Sequence, residues 1–215
     1  MDIKWLGHAS FLITSEDGVR IVTDPYSVGG GIDYGQIRES ADVVTVSHEH
    51  ADHNNVGAVK GNPDVVRGVG DRRVRGIDFR GIASYHDEAR GGQRGDNTVF
   101  CFPVDGLRLC HLGDLGHEFS DRTVDEIGQV DILLVPVGGL FTIDAGSAAK
   151  VCQDLSARVV IPMHYKTDKC GYPIAGVEDF LKGKQNVRRV AGSQVEFTRE
   201  QMPSSMEIVV LHHAL

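Results

Sequence analysis

The chain has 215 residues, 41% of them hydrophobic, and no low-complexity tail, which suffices for one good-sized core. With 30 acidic against 22 basic residues the net charge is -8, which excludes attraction to nucleic acid or an anionic membrane by overall charge. No apolar run approaches the ~20 residues of a membrane helix, Met1-Asp2-Ile3-Lys4 lacks a signal-peptide layout, and Cys101, Cys110, Cys152 and Cys170 form no CxxC pair. A cytoplasmic protein with buried or incidental thiols is expected.

Ile3 to Gly7 and Ser10 to Thr14 alternate apolar and polar positions, and Val19 to Thr23 follows the turn residues Ser15-Glu16-Asp17-Gly18. The pattern predicts antiparallel strands. That geometry makes His8 and Asp24 neighbours, because the start of one strand lies beside the end of the next. Pro25, without an N–H, stops the third run, and Gly29-Gly30-Gly31 has the freedom of a mobile rim. One helical turn is expected over Ile37 to Ala41, then a strand over Val43 to Val46. A short helix or loop continues to Val59, and Val65-Val66 is apolar. Arg67, Arg72, Arg73 and Arg75 read as a solvated strand face. Ile77 to Tyr85 is strand-like, and Asn97 to Pro103 pairs with Leu107 to Leu112 about the turn Asp105-Gly106.

Thereafter helix and strand alternate. Helices are predicted over Asp121 to Gly128, Ala145 to Leu155 with Asp144 as cap, and Val177 to Leu181. Strands are predicted over Ile132 to Val135, Val159 to Met163, Val187 to Val190, Gln194 to Phe197 and Met206 to Leu211. Two successive halves of hairpins followed by helices imply two sheets packed face to face with helices outside. No Gly-rich linker divides the chain, so a single domain over residues 1–215 is expected.

Chemistry concentrates where Val43-Val44-Thr45-Val46 ends in Ser47-His48-Glu49-His50-Ala51-Asp52-His53. Histidines at i and i+2 on an extended end can turn both imidazoles to one cation, and the Asp-His pair can serve a neighbouring one. Imidazole and carboxylate are the ligands that Zn, Fe, Mn or Ni accept in hydrolytic sites. Three later polar residues also stand just past apolar strands: His86, Asp114 and His164. Strand ends are where a rigid scaffold presents ligands.

HxHxDH at 48 to 53, then His86, Gly113-Asp114 and Pro162-Met163-His164-Tyr165, resembles the metallo-beta-lactamase superfamily. Trp5-Leu6-Gly7-His8-Ala9-Ser10, Thr23-Asp24-Pro25 and Phe141-Thr142-Ile143-Asp144 are similar to its small-hydrolase branch typified by ascorbate-phosphate lactonase. The resemblance implies an α/β four-layer αββα sandwich and two divalent metal ions, zinc first, with Mn, Fe or Ni as alternatives. It implies that His48, His50 and His86 hold one cation, that Asp52, His53 and His164 hold the other, and that Asp114 bridges them. Asp52 and Asp114 would be the catalytic carboxylates around a bridging hydroxide. Asp24 would orient a ligand histidine through its free ring N–H, the alternative being a turn carboxylate ahead of Pro25.

Other residues are weighed on position. His8 reads as a contact to the substrate or to a residue that orients a metal ligand, or as a bulge residue. His117 reads as a proton donor to the leaving group, or as a surface histidine. Arg94 and Asn97, close to His86, and Lys166, next to His164, are candidate contacts for an anionic substrate. The stretch from His53 to His86 is short, so beta-lactam hydrolysis is not expected. The reading is a metal-dependent hydrolase of a small ester, lactone or phosphodiester, acting alone or as a homo-oligomer. The alternative is a metal-binding sensor or scaffold without turnover.

Overall fold

The computed structural model describes residues 1–215. Its strands are β1 Asp2–Gly7, β2 Ser10–Thr14, β3 Arg20–Thr23, β4 Val43–Val46, β5 Asp64–Arg67, β6 Gly70–Val74, β7 Ile77–Tyr85, β8 Asp96–Val104, β9 Leu107–His111, β10 Ile132–Pro136, β11 Val159–Met163, β12 Val187–Arg189, β13 Gln194–Glu196 and β14 Glu207–Val210. The helices are α1 Asp121–Ile127, α2 Ala145–Asp154 and α3 Val177–Leu181. Their caps follow the sequence: Ser120 Oγ accepts from Thr123 N at the start of α1, and Asp144 accepts from Ser147 N at 2.9 Å at the start of α2.

The strands form two mixed sheets, ordered β13-β1-β2-β3-β4-β5 and β12-β14-β11-β10-β9-β8-β7-β6. The halves are therefore not simply successive. β13 returns to pair with β1, Ile3 opposite Val195, while the β6–β9 meander belongs to the second sheet. The first sheet alternates as expected of a sheet covered on both faces. Ile3, Trp5, Phe11, Ile13, Ile21 and Val43 face the main core, and Leu6, Leu12, Val22, Val44 and Val46 face a smaller one. α2 packs on β10 and α3 on α2 outside the second sheet. Outside the first sheet the cover is loop: Tyr26, Ile32, Tyr34, Ile37 and Ala41, with Cys170 and Ile174. The metallo-beta-lactamase sandwich is present, with few helices in its outer layers.

Several expectations change. Ile37 to Ala41 is not a helical turn; Ala41 N donates to Lys60 O and Lys60 N to Glu39 O, so this backbone pairs sideways. The Gly29–Gly31 loop is tied down, since Gly171 N donates to Gly31 O at 2.7 Å and Asp33 N to Lys169 O at 2.8 Å. Cys101 and Cys110, nine residues apart and unrelated by spacing, face each other across β8 and β9 with Sγ atoms 2.6 Å apart. The arginine passage behaves as read: β6 is exposed, and Arg73 and Arg75 pair with Asp78 and Asp64.

Strand direction places the chemistry. In the first sheet β1, β3 and β4 run the same way, and in the second β7, β9 and β11 do. Their C-terminal ends converge on one edge between the sheets. Thr98 N donates to Ser47 O, His164 N to His8 O, and His111 Nε2 to Ala9 O across that gap. No helix is long and apolar enough to cross a membrane.

Candidate metal centre

His8, Asp24 and His164 each follow directly on a strand or its bulge and each takes left-handed backbone, at φ 52°, 37° and 50°. That conformation is rare for residues with a Cβ and costs free energy. Here it ends the strand abruptly and turns the side chain into the gap between the sheets. Gly113 does the same ahead of Asp114. Its φ is 55°, and a Cβ there would stand 2.3 Å from Asn97 Oδ1, so only glycine lets the Asp114 loop close.

Besides Asp24 with His48 and His53, the ring nitrogens and carboxylates form two clusters. His48, His50 and His86 bring one ligand atom each within 4.8 Å of the others, and His8, Asp52, His53 and His164 do likewise. Asp114 Oδ2 lies between them, 3.1 Å from His86 Nε2, 3.2 Å from His53 Nε2, 3.3 Å from His164 Nε2 and 3.9 Å from His48 Nε2. Two ligands about 2.1 Å from one tetrahedral cation stand roughly 3.4 Å apart. The spacing is compatible with shared cations.

Burial makes the same point. Every buried side-chain nitrogen or oxygen without a partner, Thr45 Oγ1 apart, belongs to this group: both nitrogens of His8, His53 Nε2, His86 Nδ1, His164 Nδ1 and Asp114 Oδ1. Buried polar atoms left bare are costly. A cation takes one nitrogen from each imidazole, so the bare His53 Nε2, one nitrogen of His8 and the bare Asp114 oxygen fit the metal that the fold implies.

The supporting groups are committed. Asp24 accepts from Ser47 N at 2.8 Å, from the Ser47 hydroxyl, and from His53 Nδ1 at 3.0 Å. With its own proton on Asp24, Ser47 Oγ accepts from His48 Nδ1 at 2.9 Å. One buried carboxylate thereby points the bare Nε2 of His53 into the site and, through Ser47, the Nε2 of His48, which lies 3.1 Å from His50 Nδ1. His8 and Asp24 are linked through His53, whose ring centroid is 5.1 Å from that of His8.

Electrostatics follow from burial and these carboxylates. Burial, with His164 and then His53 adding repulsion, depresses His8 to about 4, and burial with His53 depresses His48 to about 3. Burial opposes the charge on His53 and His86 too, yet Asp114 outweighs it and raises both, Asp24 assisting at His53. Asp114 is held well below the carboxylate range, against burial, by His164 and His53. Asp114 thus draws positive charge to His53 and His86 in particular.

Other expected contacts lie elsewhere. Asn97 is buried behind the site: Nδ2 donates to Ser84 Oγ and Leu112 O, and Oδ1 accepts from Asp114 N, so it sets Asp114 and has no donor left for substrate. Lys166 Nζ donates to Tyr172 O on the surface. His117 Nδ1 donates to Glu118 O and Nε2 accepts from Tyr85 N, leaving no nitrogen for a leaving group. His8 sits in the second cluster instead of facing substrate.

A cavity of about 330 Å³ opens over the clusters, lined by His50, Asp52, His86, Arg94, Asp114, Phe141, His164 and Tyr172. Arg94 lies over the Phe141 ring at 5.5 Å. Its loop is gathered by Asp87, whose carboxylate accepts from the N–H groups of Gly91, Gln93 and Arg94 at 3.0, 2.9 and 2.7 Å. Sequence reasoning missed Asp87 and Tyr172. Asp87 next to His86, four residues before Gly91, was a readable turn signal; nothing local marks Tyr172.

The Beta-lactamase superfamily domain profile matches residues 2–164. A UPF0173 metal-dependent hydrolase of Methanospirillum hungatei is 33% identical over 191 residues, covering 78% of this chain and 84% of its own length. A candidate Zn-dependent hydrolase of the metallo-beta-lactamase superfamily from Thermotoga maritima has a TM-score of 0.82 at 40% identity, covering 98% of this chain and 97% of that one. Igni18, a metallo hydrolase from Ignicoccus hospitalis, shares the fold, with a TM-score of 0.63 at 22% identity over 92% and 99% of the two chains. The likeness reaches the superfamily and its metal-dependent hydrolases, not the lactonase branch, and leaves the sensor or scaffold alternative without an observation in its favour.

Proposed function

Since this chain belongs to the metallo-beta-lactamase superfamily, among its UPF0173 metal-dependent hydrolases, we propose that it hydrolyses a small anionic ester, lactone or phosphodiester with two divalent cations. His48, His50 and His86 would hold one, and Asp52, His53 and His164 the other, with His8 beside the second set. Asp114 would be shared. The nitrogen and oxygen donors accept zinc, our first choice, as well as Mn, Fe or Ni. When bound, such a pair stabilises charge on the substrate and makes water nucleophilic near neutral pH.

The chain's own residues do the rest. Asp24 and Ser47 keep the Nδ1 protons of His53 and His48 turned away from the site. Asn97 holds the Asp114 backbone. Arg94, whose guanidinium makes no hydrogen bond or ion pair and lies on Phe141, binds the anionic part of the substrate.

The observation carrying the two-cation reading is Asp114 Oδ2, within 3.9 Å of Nε2 atoms from both clusters. Elemental analysis of Asp114→Ala tests it. Both metals should be lost or weakened together and turnover should fall to background; a variant retaining two metals and full activity would falsify the assignment.

A further inference from the structure

Among the side chains lining the cavity, all but Arg94, Phe141 and Tyr172 belong to the clusters or to Asp114. Arg94 has its task in the reading above. Tyr172 does not, and it is the one hydroxyl on the wall. Its oxygen lies 3.4 Å from Asp52 Oδ2, longer than the roughly 2.5–3.0 Å of a formed O–H···O bond. Ser47 and Asn97, by contrast, spend every donor hydrogen on short bonds. The phenol is thus held near the second cluster without being used up there.

The chain holds the ring from behind. Gly31 has φ 105°, and a Cβ there would stand 2.8 Å from Tyr172 Cε1 and 2.9 Å from Cδ1. Gly171 N donates to Gly31 O, Ile32 pairs with Cys170, and Lys166 Nζ donates to Tyr172 O. The ring also meets Phe141 edge-on at 5.4 Å and His8 at 6.0 Å. A surface tyrosine without a task does not need a glycine backbone pressed to its face and a strap bonded on both sides. Phe141 stands between Arg94 and Tyr172, which separates the guanidinium, on the His50 side, from the phenol, on the Asp52 side.

We infer that Tyr172 is a catalytic residue whose phenolic O–H donates a hydrogen bond to the oxygen leaving the substrate. With the anionic part of the substrate at Arg94, the departing oxygen is at the opposite wall. As its bond to carbon or phosphorus breaks, the electron pair stays on that oxygen, and a fixed donor stabilises the charge where it develops. Water supplies the entering oxygen, and the proton it sheds reaches the leaving oxygen through solvent. This role rests on the hydrolytic reading above.

The test uses the metal-loaded full chain with two anionic series, aryl methyl phosphodiesters and monoaryl succinates, whose leaving phenols run from p-nitrophenol to phenol. Tyr172→Phe should keep wild-type metal content. Its kcat should fall about 10²-fold for phenol, where charge concentrates on oxygen, and less than about threefold for p-nitrophenol, where the ring disperses it. Gly31→Ala, which touches no ligand, should displace the ring and reproduce the same trend. A loss equal across the series, no loss, or loss of metal in Tyr172→Phe overturns the donor role. Native metal-loaded protein inert on both series strikes at the substrate reading itself and takes the donor role with it.

Discussion

On the floor of the cavity Asp24, Ser47, Asn97 and His111 are buried and their polar atoms have partners within the protein, whereas on the rim the Arg94 guanidinium keeps donors to spare and the Tyr172 hydroxyl reaches Asp52 only at 3.4 Å. The floor also carries the left-handed His8, Asp24 and His164. The contrast reflects what each region must do. Ligands need to be held within a fraction of an ångström, which takes satisfied hydrogen bonds and tolerates strain offset elsewhere. A substrate contact must be free to exchange water for substrate, so a donor already committed is of no use.

The sharpest way to break the floor is Asp24→Asn. The amide cannot accept from Ser47 and His53 on both sides, so the imidazoles of His53 and His48 lose their orientation. Metal affinity should drop by about 10- to 100-fold, measured by competition with a chromophoric chelator; unchanged affinity would return Asp24 to a turn carboxylate before Pro25.

On the rim, Asp87→Ala should release the three N–H groups that gather the Arg94 loop. The KM for an anionic substrate should rise about tenfold with kcat and metal content nearly unchanged, the pattern of lost uniform binding. Kinetics on charged and neutral esters would separate this from general loosening, since only the charged one should respond.

Chelating any bound metal should expose the floor's own charge balance as a smaller, pH-dependent effect. Raised above 6.5, His53 contributes stability below that pH that is lost as pH rises through its folded value. His8 and His48, depressed to about 4 and about 3, contribute stability present above 6.5 that is lost as pH falls toward those values. Melting temperatures of chelated protein should peak near pH 6.5. Metal competes with protons for the same nitrogens, so loading should move the peak to higher pH. A chelated protein that melts at one temperature from pH 4 to 8 would contradict this balance.

The smallest effect should come from Lys166→Ala. Its exposed Nζ makes a single hydrogen bond to a carbonyl, so stability should change by less than about 0.5 kcal/mol. A tenfold loss of turnover in steady-state kinetics would restore Lys166 as a substrate contact.

Most strands and the capped helices α1 and α2 were legible because apolar alternation, Asp105-Gly106 and Asp144 act locally. What the residues alone determined about the centre was the donor set after β4 and the three polar residues past β7, β9 and β11. Each of these positions stands just past the end of an apolar run. Tertiary structure alone decided that His8 joins the second cluster, that Asn97 turns behind Asp114, and that His117 and Lys166 spend their polar atoms on backbone carbonyls and N–H groups. It also brought Tyr172 onto the wall by stapling two loops about 140 residues apart. Which way a polar side chain faces at a strand end depends on the sheet opposite, and that sheet is built from distant sequence.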